Sequence, residues 1–112
     1  IMTYALYEAS KKLNPATDGV QVQQTIATAR QQMSDFHKQY PIYLTPTTAT
    51  TAPSNDDPAF LPEYVEKLRH IGSLDSAQQM QLIYDAWLHG LTKTPFTQLA
   101  KLTGEPAISL PT

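Results

Sequence analysis

Side chains able to do acid–base, metal or nucleophilic chemistry are few in this sequence, and their spacing is informative. Its three histidines are His37, His70 and His89. Glu66 and His70 are four residues apart, as are Asp85 and His89, so each pair shares one side of a helix. Metal chemistry needs three or four ligands that converge, and these pairs fall on different predicted helices with polar neighbours. They are therefore read as solvent-facing helix partners, with no metal and no cofactor expected. The serines Ser10, Ser34, Ser54, Ser73, Ser76 and Ser109 lie in no G-x-S-x-G elbow, and none has a histidine whose place in the sequence suggests a dyad. Asp56-Asp57, placed before a helix, reads as a turn favoured by the helix dipole and not as an acid–base carboxylate pair. Four scattered glycines build no phosphate loop. No catalytic residue is assigned.

The totals narrow the partners. A chain of 112 residues suits a single domain. Eight Lys and Arg against ten Asp and Glu, spread along the chain, leave no basic stripe for phosphate neutralisation, so nucleic acid is not an expected partner. Cysteine is absent, which removes disulfides and thiolate ligands and fits a reducing compartment. No apolar run approaches the roughly 20 residues of a spanning helix, and the start lacks the charged and apolar regions of a signal peptide. The expected location is the cytoplasm, without membrane contact.

The elements that would position these groups are mostly helical. Met2, Leu6, Ala9 and Leu13 form a stripe spaced by three and four. Asn14-Pro15 stops one helix and starts the next, whose seam is Val22, Ile26, Ala29, Met33, Phe36 and Tyr40, with its regular part expected after Gly19. Pro41 ends it. Ile42-Tyr43-Leu44-Thr45 reads as a buried strand, followed by a Pro- and Thr-rich extended stretch to Pro53 and a polar turn over residues 54–58. A helix from about Phe60 carries Leu61, Tyr64, Val65 and Leu68 on one face, pairs Glu63 with Lys67, and stops at Gly72. Asp75 and Gln78 predict a capping box for a helix whose stripe is Ala77, Met80, Tyr84, Trp87 and Leu91, with Tyr84 and Trp87 as core residues. Thr94-Pro95 opens a last short helix that Gly104 closes, and Ala107-Ile108-Ser109-Leu110 reads as a second strand needing cover. A two-stranded sheet is marginal alone, so the pattern asks for more sheet than these residues supply.

Two stretches carry a resemblance. Tyr43-Leu44-Thr45-Pro46-Thr47 resembles a strand and turn found late in amidase signature enzymes, and residues 95–111, PFTQLAKLTGEPAISLP, resemble that family's closing motif. The motif is a short helix, a glycine, then a Pro-Ala-hydrophobic-Ser-hydrophobic-Pro strand. Lys101 stands where the motif usually has Asn; Lys cannot accept a hydrogen bond and resists burial, so no active-site role is carried to that position.

The resemblance implies an α/β parent fold, a mixed sheet between helical layers, of which residues 1–112 would be a C-terminal segment, mainly helical with two short strands and truncated at both ends. It also implies hydrolysis of a small-molecule carboxylic amide by a Ser–cis-Ser–Lys triad lying outside this chain. Pro46 and Thr47 are the positions expected to border the substrate pocket. The segment alone is expected to be inactive and, with apolar faces uncovered, to self-associate. The alternatives are a free-standing helical interaction module using the Val22–Tyr40 seam or the Met80–Leu91 stripe, and a fragment of a glutamyl-tRNA amidotransferase catalytic subunit.

Overall fold

The computed structural model describes residues 1–111. Five α-helices and one 3-10 turn account for all its regular structure: α1 (Met2–Ser10), α2 (Pro15–Gln39), α3 (Pro62–Arg69), the 3-10 turn Ile71–Ser73, α4 (Ser76–Leu91) and α5 (Gln98–Thr103). No strand occurs among the described residues. Both expected strands are therefore corrected. Residues 42–45 and 107–110 are irregular, with Ile42 79%, Leu44 88% and Ile108 83% exposed. A strand needs a ladder partner, and prolines 41, 46, 106 and 111 bracket both segments and withhold backbone donors.

The chain forms two compact units. The first contains residues 1–14 and 50–93 and holds the whole apolar core: Ala5, Ala9, Leu68, Ile71, Leu82, Ile83 and Ala86. Leu68 and Ile71 are fully buried, and each such burial contributes roughly 1.5–3 kcal/mol. Gln79 is also fully buried; its Nε2 donates at 3.0 Å to the Ile71 carbonyl, which also accepts the Leu74 N–H that closes the 3-10 turn. Lys12 Nζ donates to the Gly72 carbonyl at 3.1 Å and to that of Leu74, so the turn that follows α1 fastens this segment by charge-assisted bonds.

The helix periods hold, but two stripes rotate. On α1 the buried positions are Ala5 and Ala9, and Leu6 is exposed. Alanines let α1 approach α4 closely, and that approach selects the smaller face of α4, Leu82, Ile83 and Ala86. The face expected as core, with Met80, Tyr84 and Trp87, is exposed. The Asp75 capping box is present: Gln78 N–H donates to Asp75 Oδ1 at 2.8 Å, and Asp75 N–H donates to Gln78 Oε1 at 3.2 Å.

The second unit contains residues 15–49 and 94 onward. Its long helix α2 runs through Gly19 without a break and buries no residue fully. The expected seam survives as half-buried Ile26, Ala29, Met33 and Phe36, while Val22 and Tyr40 are exposed. Phe36 packs against Tyr40 and, edge-on, against Tyr43, with ring centroids 5.1 and 5.6 Å away. α5 starts at Gln98, three residues after the expected Pro95, and Gly104 closes it in the left-handed conformation at φ +78°. A side chain there would be strained.

Candidate functional site

Three polar clusters stand out, each within one unit. The first belongs to residues 15–49 and 94 onward. Thr47 Oγ1 and Ser109 Oγ are 3.2 Å apart, a hydroxyl pair between two irregular segments. Pro46 and Thr47 are exposed and line neither of the open grooves found among the described residues. Ser109 has no histidine or lysine against its hydroxyl in the contacts described, so a nucleophile is not assembled here.

The second cluster was not legible as such. Asp57 Oδ1 accepts from His89 Nε2 at 3.0 Å, and Asp57 Oδ2 accepts from Lys93 Nζ. All three side chains are about three-quarters buried. A carboxylate only accepts, so His89 Nε2 carries the proton it donates. The helical spacing paired His89 with Asp85 instead; Asp85 Oδ1 accepts from Gln81 Nε2 at 2.8 Å. The sequence places Asp57 in a polar turn, and residues 54–57 do turn, with Asp57 N–H donating to the Ser54 carbonyl at 3.0 Å. What the spacing missed is that the turn aims Asp57 at the last turn of α4. The Glu66–His70 pair forms as expected at 3.3 Å and is exposed.

The third cluster joins α2 to the exit of α5. Arg30 Nε donates to the Thr103 carbonyl at 3.0 Å, and His37 Nε2 lies 3.2 Å from Glu105 Oε1. Sequence spacing gave no signal for either contact, since each spans tens of residues.

Two grooves are open on the surface. One, of about 530 Å³, is a depression along α2 at Pro15, Gly19, Val20, Gln23, Gln24 and Ala27. The other, of about 390 Å³, has Glu66, Lys67, His70 and Ser73 at its rim and Leu74 and Leu82 at its floor. No group of three or more His, Cys, Asp or Glu capable of holding a metal ion occurs among the described residues. No helix is long and apolar enough to cross a membrane.

None of these clusters pairs an activated nucleophile with a base and an oxyanion donor. The chain is similar to a lipoamidase of Enterococcus faecalis. Identity is 46% over all 112 residues, which make up 15% of that protein's length. No family model matches the chain, and no solved structure matches it.

Proposed function

We propose that these residues are a scaffold segment of a larger amidase of the amidase signature type, whose bond-breaking groups lie outside them. The observation that carries this reading is the end-to-end similarity to a lipoamidase of which the chain spans only 15%. The PFTQLAKLTGEPAISLP motif supports it. In that reading a Ser–cis-Ser–Lys triad elsewhere cleaves a carboxylic amide by acylation and water attack. The name of the relative makes lipoamide the first substrate to try. Pro46 and Thr47 border the pocket, and the parent enzyme is cytoplasmic.

The uncovered apolar surface supports a scaffold role. Met80, Tyr84 and Trp87 on α4, and Ile42, Leu44, Ile108 and Leu110 on the irregular segments, are exposed in the chain alone. Each unit thus leaves large apolar side chains exposed, and such surface is covered in a working protein or drives association. In isolation the chain therefore self-associates, and sedimentation checks this: a compact monomer across a wide concentration range contradicts it.

The test of the reading is to express the longer protein and delete residues 1–112 from it. Loss of soluble, folded amidase with the triad residues intact in sequence is the expected result. Undiminished lipoamide hydrolysis after the deletion overturns the scaffold role. A stand-alone helical interaction module is favoured by one feature, the exposed Met80, Tyr84 and Trp87 stripe. It predicts that the 112 residues are a complete gene product and capture a helical partner without any amidase.

A further inference from the structure

His37 occupies the last turn of α2 with both ring nitrogens engaged. Nδ1 is 2.8 Å from the Tyr40 carbonyl oxygen, and Nε2 is 3.2 Å from Glu105 Oε1. Each partner can only accept a hydrogen bond, the carbonyl always and the carboxylate whenever it is ionised. A neutral imidazole carries a single N–H. It can satisfy either contact but not both, and its bare nitrogen then faces an oxygen lone pair. The doubly protonated ring satisfies both, and the C-terminal end of α2 favours that positive charge.

We propose that His37 and Glu105 form a pH-gated clasp that holds the segment following α5 against the end of α2. The segment has little else to hold it. Thr103 is the only residue of this unit buried to the core's degree among the described residues, and Ile108 and Leu110 are exposed. Among the contacts of the described residues, its further ties include the Glu105 N–H bond to the Ala100 carbonyl and the Thr47–Ser109 hydroxyl pair. Arg30, on the Thr103 carbonyl, keeps its charge through the whole range and fixes the start of the segment at any pH.

The other charged and titratable groups of the elements around the ring are occupied or differently placed. Asp35 accepts from Lys38 and Gln31. Tyr40 and Tyr43 pack on Phe36, and Lys101 is exposed on α5. Glu105 is the carboxylate paired with His37.

Protonation of the ring therefore closes the clasp, and its deprotonation opens it and frees Ile108 and Leu110. This inference does not depend on the amidase reading; it concerns the chain's own residues.

The test is backbone order of Ala107, Ile108, Ser109 and Leu110 by heteronuclear ¹⁵N relaxation at about pH 5.5 and about pH 8, on either side of the imidazole range. In the unmodified chain the closed-to-open ratio should fall roughly tenfold or more on going to the higher pH, the weight of one charge-assisted hydrogen bond. His37→Gln should abolish the dependence, while His70→Gln should retain it. Glu105→Gln is the decisive variant. Its amide donates to Nε2 of the neutral ring while Nδ1–H still serves the Tyr40 carbonyl, so the segment should stay ordered at about pH 8. A flat profile in the unmodified chain, or a segment equally loose at high pH in the Glu105→Gln and unmodified chains, overturns the clasp.

Discussion

Thr47 Oγ1 and Ser109 Oγ meet at 3.2 Å although 62 residues separate them in sequence. The contact ties the turn after Pro46 to the Pro-Ala-Ile-Ser-Leu-Pro segment, the two stretches on which the amidase resemblance rests. As both hydroxyls are exposed, the bond contributes little to stability. Its consequence is positional. If Thr47 borders the substrate pocket of the parent enzyme, Thr47→Val should raise KM severalfold and leave kcat within about twofold, the signature of lost ground-state binding. An equal loss in kcat at unchanged KM, measured by steady-state amide hydrolysis, contradicts the assignment.

The core of the first unit is small, so it should be intolerant. Leu68→Ala removes a fully buried side chain and should cost about 2–5 kcal/mol. Against so few buried apolar residues that loss should abolish cooperative urea unfolding of this unit, or shift its midpoint strongly downward. Trp87→Ala, on the exposed face of α4, should change the same midpoint by less than about 0.5 kcal/mol. In the longer protein the same Trp87 substitution should be markedly destabilising, because the face is covered there in the proposed reading.

Asp57 accepts from both His89 and Lys93, and its loss should be felt by both. Asp57→Ala leaves His89 and Lys93 facing each other without their carboxylate and should destabilise the first unit by about 1–2 kcal/mol. Adding Lys93→Met to Asp57→Ala should cost less than the sum of the single changes, since the two act through one contact. Strict additivity in urea titrations would show that the cluster is not a coupled unit.

An exposed carboxylate, that of Asp35, offers a pH check on α2. The hydrogen bond from Lys38, then its charge, and then the hydrogen bond from Gln31 hold the Asp35 carboxyl below its usual value. A depressed folded value means the contribution is present above the unfolded carboxylate range and is lost as pH falls through the lowered value. The Asp35 titration midpoint followed by carboxyl ¹³C shifts should therefore rise in a Lys38→Met variant, and the difference should shrink in high salt. A midpoint unmoved by that substitution refutes the pairing.

How much of this was legible in the sequence depends on the range of the interaction. Caps and helix ends were readable because they are local: the Asp75–Gln78 box, the Pro41 stop and the Gly104 left-handed closure all occur where the residues placed them. The period of α2 was readable as well. Which side of α4 is buried was not, because both sides are apolar and the choice is made by the alanines of α1. The strands were misread for a related reason. Ile42–Thr45 and Ala107–Leu110 have strand composition, but composition cannot supply a neighbouring strand, and none is present among the described residues. Asp57 with His89, and His37 with Glu105, are long-range pairs that no i,i+4 rule reaches.

The central claim is tested most directly by measuring lipoamide hydrolysis by the purified 112-residue chain beside the longer protein that contains it. The account predicts release by the longer protein and none above the uncatalysed background from the chain alone. Turnover by the isolated chain that persists through repeated purification and is abolished by substituting one of its own serines would contradict it.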